Sequence, residues 1–169
     1  MVSKNRFDIS IRIDDQRDLY NGFDNRGETL SSDLIEYILN KIMVSNIDDG
    51  VSIDIVSNIH IDVDKFRKAF KKSTQNEIDL VDKEIKYNRK KAFYTLMMGL
   101  LLLLLYCVLC LTFNSPFIEI ISIIGSFSVW QGAGLYLFDI PELHREKNKY
   151  VLLKDSYIYI NGILINNYK

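Results

Sequence analysis

Apolar and polar residues alternate strictly over Phe7-Asp8-Ile9-Ser10-Ile11-Arg12-Ile13, placing Phe7, Ile9, Ile11 and Ile13 on one face of an extended chain. A period of two predicts a half-buried strand. From Asp14 to Glu28 the period is lost among Asn21-Gly22, Asp24-Asn25 and Gly27, and turn residues at that density predict a loop. Helical spacing follows in Leu34, Ile35, Ile38, Leu39 and Ile42, with Ser31 or Ser32 as cap and Asp33 and Glu36 at the positive end. Alternation returns in Val51-Ser52-Ile53-Asp54-Ile55, so residues 1–61 read as β-α-β.

The period becomes helical again at Asp62. Asp62 or Asp64 caps a helix with Val63, Phe66, Phe70, Ile78, Val81 and Ile85 on its apolar side, and neither Gly nor Pro interrupts it before Gly99. Residues 62–91 are therefore expected to form one rod leading to a membrane, with Ser73-Thr74-Gln75-Asn76 as its weak point. Two apolar runs follow, 92–113 and 117–138, joined by Asn114-Ser115-Pro116. Each has about 22 residues, which at about 1.5 Å per residue spans a bilayer's hydrocarbon core. Leu100 to Leu105 is apolar on every helical face, and a chain of this size offers no interior to surround it. Pro141 is expected to stop the cytoplasmic extension of the second membrane helix. Tyr157-Ile158-Tyr159-Ile160 and Ile163-Leu164-Ile165 flank Asn161-Gly162, a strong hairpin signal because both turn residues tolerate positive φ. A lone hairpin is marginal in water, so this one is expected to join the first two strands or a second subunit. The predicted fold is an α+β cytoplasmic domain with a two-helix transmembrane hairpin at 92–138 and a cytoplasmic C-terminal segment at 139–169.

Charge adds orientation. The chain has 21 Lys and Arg against 22 Asp and Glu, a net charge of -1, but the cations are unevenly placed. Lys86, Arg89, Lys90 and Lys91 precede the first apolar run and Arg145, Lys147 and Lys149 follow the second, while the connecting loop has none. Both ends are expected on the cytoplasmic side of a plasma membrane. The first eighty residues hold no apolar stretch resembling a signal peptide, so the first apolar helix is expected to direct insertion. Frequent Ile, Asn and Lys suggest an AT-rich prokaryotic gene.

The two apolar runs are unlike. On a helical projection of the second, Glu119, Ser122, Ser126, Val129 and Ala133 share a stripe flanked by Gly125, Gly132 and Tyr136, opposite Ile120, Ile124, Phe127, Leu135 and Phe138. Small and hydroxylated residues suit a packing seam against the first helix or a neighbouring copy. An acid at the bilayer centre costs on the order of 2.5–3.5 kcal/mol and commonly faces a cavity, although Glu119 is about one turn from the end, where it could also reach the interface. The sharper reading is a pore in a homo-oligomer, lined by Glu119, Ser122, Ser126, Val129, Ala133 and Tyr136, with the carboxylates favouring cations at its mouth.

Catalytic signals are sparse. The two histidines, His60 and His144, lack metal-ligand spacing, and there is no GxSxG motif or phosphate-binding glycine loop, so neither an enzyme nor a metal or other cofactor is expected. Cys107 and Cys110 lie within the apolar run, where packing is the expected role. Lys65, Arg67, Lys68, Lys71 and Lys72 crowd the start of the long helix, a density that suits a polyanion such as an oligonucleotide, or a solvated helix face. Tyr20 and Phe23, near Arg26, are candidates for stacking on bases.

FDISIRID, the basic entry KYNRKK and the second apolar run IIGSFSVWQGAGLYLFDIP together resemble the small two-helix membrane proteins of bacterial anti-phage operons, and in plan the membrane effector family of the Hailong system. The resemblance implies an antiviral defence effector in the bacterial inner membrane. It would be an oligomeric ion channel, expected to be a tetramer, held shut by a single-stranded DNA oligomer from a partner nucleotidyltransferase. It carries no ligand residues to this chain. The alternative is a nonconducting anchor or scaffold whose α+β domain recruits a partner protein.

Overall fold

A computed structural model describes residues 7–24, 26–42, 50–112 and 117–166. Two strands, β1 (Phe7–Ile13) and β2 (Val51–Ser57), form where the alternation placed them. Ile9, Ile11 and Ile13 are buried with Val51, Ile53 and Ile55, while Asp8, Ser10 and Arg12 face outward. The turn-rich stretch is not wholly loop. Asp15 accepts a hydrogen bond from the Arg17 backbone N–H at 3.0 Å and starts a one-turn helix, α1 (Gln16–Leu19), whose Leu19 is buried. A helix this short leaves no periodicity to read.

The next helix, α2 (Ser32–Lys41), buries Leu34, Ile35 and Ile38 as its spacing required. Its preceding residue, Ser31, makes no capping hydrogen bond with its side chain. After β2 the long helix α3 (Val63–Thr112) begins, with Asp62 Oδ1 accepting from the backbone N–H groups of Asp64 and Lys65, both at 3.1 Å. Ser73-Thr74-Gln75-Asn76 does not break it. Thr74 Oγ1 donates to the Phe70 carbonyl at 2.8 Å, and Ser73 Oγ accepts the Leu30 backbone N–H at 2.8 Å, so hydroxyls that would weaken an isolated helix instead serve the fold.

Helix α4 (Ile118–Gly134) continues through a π-helical turn at Leu135–Asp139 into α5 (Ile140–Lys154). Pro141 therefore does not end the helical run, contrary to expectation. It lies two residues past the π turn within a continuous helical run, where its missing N–H removes one main-chain hydrogen bond and the wider turn just before it gives the ring room. The hairpin is formed by β3 (Tyr157–Ile160) and β4 (Ile163–Asn166), with Asn161 and Gly162 at φ 48° and 78°.

These four strands make one sheet in the order β1-β2-β3-β4, parallel except for the β3–β4 hairpin. The hairpin thus joins the sheet of the first two strands. Asn161 secures it. Its Oδ1 accepts from the Ser57 backbone N–H at 2.8 Å, its Nδ2 donates to the Ser57 carbonyl at 3.1 Å, and its own backbone N–H donates to the Ile55 carbonyl at 2.9 Å. Sheet, α1, α2 and the start of α3 share one core in which Phe66, Ala69 and Phe70 lie among Ile53, Ile55, Leu153 and Ile158.

The chain divides into two compact units, one of Met1–Leu80 with Lys147–Lys169 and one of Val81–Glu146. The first is the mixed sheet and helix unit. The second is helical among the described residues, and two helical runs, Val63–Thr112 and Ile118–Lys154, each contain a stretch long and apolar enough to cross a membrane.

Candidate functional sites

Within the first unit the basic start of α3 meets the loop between α1 and α2. Asp24 organises that loop. Its carboxylate accepts from the backbone N–H groups of Arg26 at 3.0 Å, Glu28 at 2.7 Å and Thr29 at 2.8 Å, and from Thr29 Oγ1 at 2.9 Å. The Thr29 hydroxyl and then these amides, which favour the ionised form, hold the Asp24 carboxyl below the usual carboxylate range. Gly27 follows at φ +60°, a left-handed backbone conformation that favours glycine, with the end of the Lys65 side chain close beside it.

The result is a cleft of about 310 Å³ lined by Arg26, Gly27, Glu28, Lys65, Lys68, Ala69 and Lys72. Four cations face a single carboxylate. Lys72 Nζ donates to Glu28 Oε2, and Arg26 Nη1 lies 3.9 Å from Glu28 Oε1. The hydrogen bond and charge of Lys72 keep the Glu28 carboxyl below its ordinary range. Lys65 Nζ stands 4.9 Å from the centre of the Tyr20 ring, a cation–π distance. Burial, followed by the nearby charge of Asp62, pushes the Tyr20 hydroxyl up. A second cavity of about 240 Å³, lined by Gln16, Leu19, Tyr20, His60, Ile61, Asp62 and Lys65, shares Lys65 with the first.

Of the five basic residues singled out in the sequence, Lys65, Lys68 and Lys72 line the cleft. Arg67 turns elsewhere: its Nε donates to the Ile165 carbonyl at 3.0 Å, tying β4 to α3. Lys71 is exposed and outside the cleft lining. Arg26, noted in the sequence only beside Tyr20 and Phe23, joins the lining, and Glu28 completes the site unseen, because a pairing across 44 residues leaves no local signal. Tyr20 lies beneath Lys65, whereas Phe23 is fully exposed.

In the second unit, α3 and α4 pack antiparallel along glycines. A Cβ on Gly99 would sit 2.7 Å from the Val129 backbone N and 2.8 Å from the Gly125 carbonyl oxygen, and one on Gly132 would sit 2.7 Å from Leu96 Cγ and 2.9 Å from the Leu96 backbone N. The seam therefore centres on Gly125, Gly132 and buried Ile118. It takes up only part of the polar stripe. Val129 is at the seam, Ser122 and Ala133 are half-buried, and Glu119, Ser126 and Tyr136 remain exposed on its flank. Cys107 and Cys110 lie on the outer surface of α3 and form no disulfide.

Among the described residues no group of three or more His, Cys, Asp or Glu is placed to hold a metal. No family model, curated protein or solved structure matches this chain.

Proposed function

We propose that this protein is an oligomeric, ion-conducting membrane effector whose α+β unit regulates it by binding a polyanion in the Arg26–Lys72 cleft. One observation carries the reading: α3 and α4 close on each other through glycines, yet Glu119 and Ser126 stay uncovered on the flank. Burial argues for lipid around the helices, since only 6% of the most apolar window of the first run and 11% of the second is buried within the chain. Soluble core helices would be mostly enclosed. In lipid an uncovered carboxylate costs on the order of 2.5–3.5 kcal/mol at the bilayer centre and less towards the edge, a cost relieved when the flank faces an aqueous path shared by several copies.

Two helices per chain cannot enclose such a path, so it requires a closed ring of subunits. Glu119, Ser122, Ser126, Val129, Ala133 and Tyr136 supply its lining, with Glu119 drawing cations to one mouth. The basic residues before α3's apolar stretch and after α4's favour a cytoplasmic position for the sheet unit, in a bacterial inner membrane. The cleft, with four cations and one carboxylate, suits a phosphate-bearing ligand. The resemblance to anti-phage effectors would make that ligand an oligonucleotide from a partner nucleotidyltransferase.

The glycine seam favours a second reading, because a tightly closed hairpin also serves as a nonconducting anchor for a partner-binding domain. Cation flux into liposomes carrying the purified full chain separates the two. Flux that rises with protein density supports the channel, and inserted protein without flux at any density supports the anchor.

A further inference from the structure

The cleft contains its own anion, and its placement is specific. Asp24 gathers the Arg26, Glu28 and Thr29 amides, and the turn it holds delivers the Glu28 carboxylate to Lys72 and to the neighbourhood of Arg26. Lys68 lines the same cleft with no ion pair among the described residues, and Lys65 is held over Tyr20 with its charge still directed at the cleft. An incoming anion that uses all four cations must displace that carboxylate from Lys72 and Arg26.

We infer that Glu28 is a resident competitor: a phosphate-type oxyanion enters by replacing the Glu28 carboxylate on Lys72 and Arg26, so Glu28 sets the affinity of the site. This rests on the proposed reading of the cleft as an anion site. Lys72 and Glu28 are both about half exposed, so the exchange needs no opening of the core. When the phosphate binds, the freed carboxylate is repelled by it and the Glu28 side chain turns into solvent while Asp24 holds the backbone. The charge-assisted hydrogen bond from Lys72 and the ion pair with Arg26 are then made to phosphate oxygens in place of Glu28.

The test uses inorganic pyrophosphate titrated calorimetrically into the detergent-solubilised full chain, comparing wild type with Glu28→Gln, Glu36→Gln and Lys68→Ala. Glu36 is exposed on α2 and outside the cleft lining, so its variant makes the same change in net charge elsewhere. Glu28→Gln is expected to bind about two- to five-fold more tightly, the range set by releasing a partly exposed ion pair, while Glu36→Gln leaves affinity unchanged and Lys68→Ala weakens it. Binding that Glu28→Gln leaves unchanged or weakens overturns the competitor role while keeping the anion site. Equal tightening by Glu36→Gln also overturns it, by making the effect one of overall charge. No binding by wild type or by Glu28→Gln overturns the anion site itself, and the competitor with it.

Discussion

Replacing Gly99 by alanine tests the hairpin at its tightest point. The added Cβ would meet the Val129 backbone N at 2.7 Å, where ordinary contact begins at 3.4 Å, leaving it 0.7 Å short. The next atom, the Gly125 carbonyl oxygen at 2.8 Å, is also backbone, so no side-chain rotation relieves the clash and the helices must separate. Overpacking of this kind costs about 1–3 kcal/mol, while alanine in place of glycine within a helix returns about 1 kcal/mol, for a net loss of up to about 2 kcal/mol. The glycines should then rank by the space around them. Gly132→Ala resembles Gly99→Ala, because Leu96 N and the Ala92 carbonyl oxygen lie within 3.0 Å. Gly125→Ala, with its nearest atoms at 3.1–3.2 Å, is close to neutral, and Gly134→Ala, with nothing within 4 Å, is as stable as wild type or more so. Trp130 is the single tryptophan and lies on α4, so its fluorescence during titration of micelles with a denaturing detergent reports on the hairpin alone. If Gly99→Ala proves as stable as Gly134→Ala, the glycine seam is not what joins these helices.

Two further predictions concern the sheet unit. Because Asp24 is held ionised in the folded chain, its contribution to stability is fully present above the ordinary carboxylate pKa and is lost as pH falls through the lower folded value. Chemical denaturation from neutral to acid pH should show a midpoint that declines below roughly pH 4, and Asp24→Asn should flatten that decline. Asn161→Ala removes both side-chain bonds to Ser57 and leaves a non-glycine residue at positive φ, a loss of about 2–3 kcal/mol in urea denaturation, whereas Asn161→Gly keeps the turn and loses less.

Much of the fold was legible because its signals are local. The period of two in β1 and β2, the apolar spacing of α2 and the Asn161-Gly162 turn each specify an element without reference to distant residues. Where the reading failed, a longer-range or finer effect was decisive. Pro141 is expected to stop the helix's cytoplasmic extension, but the π turn at Leu135–Asp139 just before it lets the helical run continue past the proline. The one-turn helix at Gln16–Leu19 depends on a single cap. In the cleft, Lys65, Lys68 and Lys72 were readable as a basic helix face, but Arg26 and Glu28 belong to the site only through tertiary closure of the loop. The polar stripe of α4 was visible in projection. Its division between seam and open flank depends on how closely glycine backbones approach, which composition alone does not specify.

That open flank is also where the functional account is most exposed to test. The direct measurement is cation flux from liposomes carrying wild type, Ser126→Leu or Phe127→Leu, each checked for equal insertion. Ser126 lies on the uncovered flank beside the seam, and Phe127 is exposed on another side of the same helix. The account predicts flux through wild type and Phe127→Leu and its loss in Ser126→Leu. Equal flux through all three, or none through any, would contradict it.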